Sequence, residues 1–212
     1  MPNEPALSWS DALRSRRFKL LSLGTFVGLI AALLTLNRYL LFNERRTGVR
    51  LADPILAGLP TWDLSWLIFL LLYGTLIATV VHLARQPRPL LIALQAYGLL
   101  AIVRICMMYS IPLEAPQGMI MLVDPLVRLF GDGGGNWAKD LFFSGHTSTT
   151  FLCAVSVRSR ALQIACTLAC ASVAARVLLQ HVHYTVDVLV APCVAFTVQR
   201  AARYLTGRVL DH

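Results

Sequence analysis

Long apolar runs constrain this chain most, because about 20 consecutive apolar residues are enough to cross the hydrocarbon core of a bilayer as a helix. Six such runs cover residues 20–42, 65–84, 89–110, 143–157, 161–181 and 184–204. The runs are continuous rather than alternating, which favours helices over a β-barrel. The sequence therefore predicts an all-α, polytopic membrane protein, with residues 1–212 forming a single domain of six transmembrane helices. The fourth run, short and rich in hydroxyl groups, gives the weakest signal.

The composition excludes a soluble globular domain. The chain is 57% hydrophobic and 14% charged, whereas soluble domains average about 25% charged residues. The formal charge of +8 is spread over short clusters between the apolar runs, without the contiguous basic stripe and interleaved aromatic residues of a nucleic-acid surface. No nucleic-acid partner is expected. The five cysteines lie inside apolar runs without paired spacing, which is typical of small packing residues rather than of disulfides.

The basic residues also predict the orientation in the membrane. Six spans place both termini on one side, and that side carries 11 basic residues against 5 on the other. The positive-inside rule then makes both termini cytoplasmic and leaves the opposite end outside. Of the 19 basic residues, 17 are arginine, a bias that would suit a GC-rich bacterial genome and hence an inner membrane.

Two short segments at the predicted outer face combine residues suited to phosphoryl transfer. In the segment 181–187, His183 and Asp187 are four residues apart and share one face of a helix. The carboxylate can hold one imidazole nitrogen and leave the other as a free base. In the segment 140–147, Ser144, Gly145 and His146 open a helix, where free backbone N–H groups attract phosphate oxygens. Together these parts predict transfer through a histidine nucleophile.

A metal site is the alternative reading of the same residues. His146, His181 or His183 with Asp187 would supply its ligands, but no further ligand stands at familiar zinc spacing. We expect neither a metal nor another cofactor.

These segments resemble the signature motifs of a known family. Asp-x-x-x-Ser-Gly-His-Thr at 140–147 and His-Tyr-Thr-x-Asp-Val at 183–188 look like those of the sphingomyelin synthase family, a branch of the type 2 phosphatidic acid phosphatase superfamily. The segment 104–112 also resembles the arginine-bearing segment of that family. The resemblance covers about residues 100–204 and implies that superfamily's helical bundle.

The resemblance further implies a metal-independent transfer in two steps. The histidine matching His183, activated by the match to Asp187, attacks phosphorus, while the match to His146 protonates the leaving alcohol and then deprotonates the acceptor. We expect substrate binding by the polar residues around these three catalytic residues, namely Arg104, Tyr109, Asp140, Ser144, Gly145, Thr147 and Tyr184.

Arg176 leaves two interpretations open. It lies seven residues before His183, on nearly the same helix face but about 10 Å away along the axis. It either reaches the phosphate or pairs with Asp140.

The expected function is transfer of a phospho-head group from a phospholipid donor to a lipid acceptor, ceramide or diacylglycerol, at the outer face. A lipid phosphatase shares the same intermediate and is the first alternative. A non-catalytic lipid transporter is the second, which the intact His146, His183 and Asp187 disfavour. The Gly24-x-x-x-Gly28 pattern permits close helix approach and fits either packing within the monomer or a homo-oligomer.

Overall fold

A computed structural model describes residues 8–124 and 137–211, and over these ranges the chain is all-α with no strand. Val49 and Leu113 form an isolated β-bridge between two loops. The helices are α1 (Trp9–Arg14), α2 (Arg16–Asn43), α3 (Pro54–Ala57), α4 (Ser65–Leu83), α5 (Pro87–Ser110), α6 (Gly145–Ser156), α7 (Arg160–Leu179) and α8 (Thr185–Leu210).

Five of these helices, α2, α4, α5, α7 and α8, are long and apolar enough to cross a membrane. Large apolar side chains stay exposed along them, including Leu70, Leu168 and Leu189. Exposed apolar surface of this extent is stable in hydrocarbon but not in water. The helices therefore indicate a multi-pass membrane protein.

The fourth predicted span is not confirmed as a full crossing. Residues 143–157 contain only α6, a helix of 12 residues, which at about 1.5 Å per residue is shorter than the ~30 Å hydrocarbon core. Eight of its residues are buried, and it packs against α4, α5, α7 and α8. Because protein rather than lipid surrounds α6, its hydroxyl groups are tolerated; Thr150 Oγ1, for example, donates to the carbonyl of His146 at 2.9 Å.

Contacts between sequence-distant residues define two ends of the bundle. At one end, the indole of Trp9 donates to the carbonyl of Ala84 at 2.7 Å, and Arg88 pairs with Asp211 at 2.7 Å. The first described residues and the end of α8 therefore lie together. We call this the terminal end.

The opposite end, which we call the site end, gathers the loops that surround both histidine segments. The Asn43 side chain donates to the carbonyl of Lys139 at 2.7 Å. The backbone N–H of Thr185 donates to the carboxylate of Asp53 at 2.6 Å. Both segments singled out in the sequence therefore lie at this end.

Helices α5, α6 and α8 share the core that positions the site. Ile92, Leu100, Leu152 and Val198 are buried in one cluster with Phe143, which lies two residues before the start of α6. Alanines on α5 and α8 with no exposed surface, such as Ala96 and Ala195, let the helices approach closely. This packing fixes the start of α6 between α5 and α8.

The glycine pair of α2 is not used in that packing. A Cβ added at Gly24 or Gly28 would meet no described atom within 4 Å. Packing within the described part of the monomer therefore does not account for the pattern.

Candidate active site

His183 and Asp187 form a buried pair at the start of α8. His183 Nδ1 lies 3.3 Å from Asp187 Oδ2, and the side chains are 4% and 0% exposed. Because a carboxylate only accepts hydrogen bonds, Nδ1 carries a proton in this pair, and in the neutral imidazole the lone pair is therefore on Nε2. Asp187 Oδ2 also accepts from the backbone N–H of Tyr184 at 3.2 Å. The carboxylate is thereby held in place, and His183 is left with one basic nitrogen.

His146, in the first turn of α6, lies opposite this pair. Its ring centroid is 6.4 Å from that of His183, at an interplanar angle of 62°. At that separation the two rings do not hydrogen-bond to each other, and both face the start of the same two helices. Phe69 also packs against the His146 ring, edge-on at 5.5 Å between centroids.

A backbone hydrogen bond joins the two segments. The N–H of Ser144 donates to the backbone carbonyl of Asp187 at 3.1 Å. The Ser144 hydroxyl caps α6 by accepting from the N–H of Thr147 at 3.3 Å, and it also accepts from the Thr147 hydroxyl at 3.1 Å. Both hydroxyl groups therefore organise the start of the helix, and the connection sets His146 against His183.

Arg104 brings a guanidinium group to the start of α6. It forms an ion pair with Asp140 and packs so closely on Gly145 that a Cβ there would overlap the guanidinium. Gly145 thus allows the guanidinium to lie beside the free N–H groups at the N-terminus of α6. The cation and the N–H groups together favour binding of an anion at this place.

The site lies below the ends of the long helices. Arg104 is six residues before the last residue of α5, which is about 9 Å along the axis at 1.5 Å per residue. Phe69 is four residues after the first residue of α4, or about 6 Å. The site therefore lies in a recess below the ends of these helices rather than at the surface.

Tyr184 holds the loops above this recess. Its hydroxyl donates to the carbonyl of Glu114 at 2.9 Å and accepts from the N–H of Leu51 at 3.3 Å. Burial raises the pKa of the Tyr184 phenol. Because both hydrogen bonds of the hydroxyl go to loop backbone, Tyr184 holds the two loops together.

A second clamp closes the same loops. Lys139 pairs with Glu114 at 2.8 Å, and the N–H of Gly48 donates to the same carboxylate oxygen at 2.9 Å. The hydrogen bond from Lys139, followed by that from Gly48, lowers the pKa of Glu114. The chain leading into Asp140 is thus tied to two loops.

Sequence reasoning missed Asp53, which connects two helix starts. Its carboxylate accepts from Leu56 at the start of α3 and from both the N–H and the hydroxyl of Thr185. Burial acts to raise the pKa of Asp53, but these hydrogen bonds outweigh it and lower the pKa overall. Asp53 followed by Pro54 is a recognisable helix-start signal, whereas the contact with Thr185 has no local signature. Phe69, inside an apolar run, carries no signal at all.

Three candidate residues make their contacts with groups other than the histidine pair. Tyr109 is 63% exposed and lies under the guanidinium of Arg46 at 5.2 Å. Arg176 donates to Ser172 on its own helix, while Asp140 pairs with Arg104 instead. His181 contacts the carbonyl of Gln117 at 3.0 Å through Nδ1. Within the described ranges, no group of three or more His, Cys, Asp or Glu residues is placed to hold a metal ion.

The environment of His146 favours its neutral form in the free protein. Burial is the main cause that lowers the pKa of His146; charges on His183 and Arg104 lower it further, and Asp140 opposes them. A bound phosphate anion would favour the imidazolium. His146 is therefore expected to gain its proton with the substrate.

Comparison with known proteins connects this site to a lipid-phosphate family. Residues 139–204 match the family model described as PAP2 superfamily C-terminal, a range that contains both histidine segments. The match supports the type 2 phosphatidic acid phosphatase superfamily predicted from the sequence, together with phosphatase- or phosphotransferase-type lipid chemistry, and it does not single out the sphingomyelin synthase branch. Neither the comparison with curated proteins nor that with solved structures found a match.

Proposed function

We propose that the chain is a membrane-bound transferase that moves a phospho-head group from a phospholipid to ceramide or diacylglycerol through a phosphohistidine. The observation that carries this proposal is the His183–Asp187 pair facing His146 across 6.4 Å. The superfamily match over the same residues supports lipid phosphate chemistry.

In the first step, His183 Nε2 attacks the phosphorus of the donor. The new N–P bond replaces the P–O bond to diacylglycerol, and the leaving oxygen takes a proton from His146. Asp187 stabilises the positive charge that develops on His183. Arg104 and the N-terminus of α6 stabilise the charge on the phosphoryl oxygens.

In the second step, His146 takes the proton from the acceptor hydroxyl. That oxygen attacks phosphorus, the N–P bond breaks, and His183 returns to its starting form. Attack by water instead would give hydrolysis, and with a lipid phosphomonoester as donor the same two steps are those of a lipid phosphatase, the alternative function. The recess favours transfer over hydrolysis because His183 is 3% exposed and a filled site would exclude water.

The test is to incubate the purified protein with phospholipid labelled in its head group, with and without ceramide or diacylglycerol. Label in a new lipid is the expected result. Label released only in water-soluble form would indicate hydrolysis instead of transfer. His183→Ala is the control for contaminating activity, because it removes the nucleophile.

We also propose that the site end faces the outside of a bacterial inner membrane and that both termini are cytoplasmic. The basic residues that flank the terminal end support this orientation through the positive-inside rule. Single cysteines at exposed Ala57 and exposed Ser10 test it in a Cys106→Ser/Cys193→Ser background, which removes the exposed native thiols. An impermeant thiol reagent applied outside should label Ala57→Cys only; labelling of Ser10→Cys only would invert the topology.

A further inference from the structure

The positive charge of Arg104 is already engaged in the free protein. Its guanidinium pairs with Asp140, and the two side chains are 15% and 19% exposed. Arg104 Nε and Asp140 Oδ1 are both buried and have no hydrogen-bond partner among the described residues. The pair thus has one donor and one acceptor left over beside the place where phosphate would bind.

The fixed charges around that place do not favour a highly charged ligand. One guanidinium, Arg104, is balanced by Asp140, and the second carboxylate, Asp187, lies behind His183. The neighbouring cation Lys139 pairs with Glu114. The two cations and three carboxylates of these pairs sum to one negative charge.

We propose that Asp140 is a specificity-determining residue that makes the site favour a monoanionic phosphodiester over a dianionic phosphomonoester. Repulsion from a fixed carboxylate doubles when the charge of the ligand doubles, and it is weakly screened in a recess. A phosphodiester carries one charge at phosphorus, whereas a phosphomonoester carries nearly two above its second pKa of about 6.

This inference rests on the proposed function and deepens it by naming the class of donor. Intact phospholipids are phosphodiesters, while lipid phosphates, the substrates of a phosphatase, are phosphomonoesters. Arg104 Nε remains available to one phosphoryl oxygen, and the neighbouring Asp140 carboxylate limits how much negative charge that phosphoryl group can bring. Asp140 therefore biases the site toward the donors of a transferase.

Direct binding tests this selectivity without requiring turnover. The probes are phenyl phosphate and methyl phenyl phosphate, which differ by one methyl group and one charge at pH 8, and the measurement is calorimetry on the full chain in detergent. We expect the wild type to bind the diester at least about tenfold more tightly. Because the repulsion doubles with the charge of the ligand, Asp140→Asn should strengthen binding of the diester by about 3-fold to 10-fold and that of the monoester by about 10-fold to 100-fold.

The variants include matched controls. Asp140→Glu keeps the charge and should keep the preference for the diester. Asp211→Asn removes the partner of Arg88 at the terminal end and should leave both affinities unchanged. Asp140→Ser is a second neutral substitution for the case that the asparagine variant does not fold, as judged by circular dichroism.

The outcomes separate this inference from the proposed function. Equal strengthening of both probes, no strengthening, or a wild type that favours the monoester or binds neither probe would overturn the role of Asp140. A preserved diester preference without label transfer to a lipid would overturn the transferase and leave the selectivity standing. Label transfer to a lipid, together with unchanged probe affinities in Asp140→Asn, would support the transferase and overturn the role of Asp140.

Discussion

The two ends of the bundle use charge in opposite ways. At the terminal end, basic side chains such as Arg158, Arg200 and Arg203 are exposed, and Arg158 and Arg200 lie close enough to act on Arg203 electrostatically. In the candidate site at the opposite end, the charged groups are paired and largely buried; the His183 and Asp187 side chains are 4% and 0% exposed.

The difference follows from hydration. An exposed charge keeps its water, so a surface pair contributes at most about 1 kcal/mol, and the residues act mainly through their number and sign. A buried charge loses its water and is tolerated only when partners hold it, which also pre-organises it for chemistry. Substitutions at the two ends should therefore differ sharply in their effects.

The largest expected contrast concerns the histidines. His183→Ala should abolish the covalent intermediate and lower head-group transfer by at least about 1,000-fold, because the nucleophile is lost. His146→Ala should slow both steps but accumulate phosphohistidine from a nitrophenyl-type donor, whose leaving group needs no proton. Arg200→Ala, at the terminal end, should keep nearly full activity. Mass spectrometry of the trapped protein locates the phosphate.

The combined variant sharpens the same assignment. His146→Ala/His183→Ala should be little worse than His183→Ala, because residues that act as a unit are not additive. Phosphate found on His146 would reverse the two roles. An active enzyme with phosphate on neither histidine would indicate direct in-line transfer.

A smaller contrast is expected between two arginines that each pair with an aspartate. Arg104→Lys keeps the charge but loses the planar fork suited to phosphoryl oxygens, so kcat should fall by about 10-fold to 100-fold with little change in thermal unfolding. Arg88→Lys, whose pair with Asp211 is at the terminal end, should leave kcat unchanged. Full activity in Arg104→Ala would remove Arg104 from the reaction.

The smallest effect concerns the stability of the site end. Asp53→Asn should lower the free energy of unfolding by about 1 kcal/mol near pH 7, since it weakens the charge-assisted hydrogen bonds at two helix starts. The pKa of Asp53 is lowered in the folded protein, so its contribution is complete above about pH 4 and is lost as the pH falls through the folded value. Thermal unfolding followed by circular dichroism at several pH values measures the difference.

Asp63→Asn is the matched control for this measurement. Asp63 also precedes a helix, but its hydrogen bonds reach only Ser65, two residues away. Asp63→Asn should therefore lower the free energy of unfolding by less than Asp53→Asn does. An equal loss in both variants, or a loss that persists at acidic pH, would show that the contact with Thr185 is not what stabilises the site end.

Much of the helical framework was predictable because local sequence encodes it. The apolar runs at 20–42, 65–84, 89–110, 161–181 and 184–204 correspond to the five long helices. The run at 143–157 was predicted to be a sixth span but contains only the short α6. Apolar content alone does not distinguish a helix that faces lipid from one that is enclosed by protein. Burial of its Ser and Thr residues is a property of the neighbours, not of the run.

Local geometry also determined parts of the site. His183 and Asp187 meet because residues four apart share a helix face, and Ser144 caps α6 because a serine accepts the N–H of the third residue that follows. These contacts lie within one turn of helix. Their geometry follows from backbone regularity and is readable in any sequence that forms the helix.

Only the tertiary structure decided which distant residues meet. His146 and His183 are 37 residues apart in the sequence, and their separation is set by how α6 and α8 pack. In the same packing, Asp140 pairs with Arg104 while Arg176 bonds to its own helix. Tyr109 contacts Arg46, and the Tyr184 hydroxyl bonds to a loop. Periodicity specifies the face on which a side chain lies, but the partner on that face depends on crossing angles and loop paths that no single segment encodes.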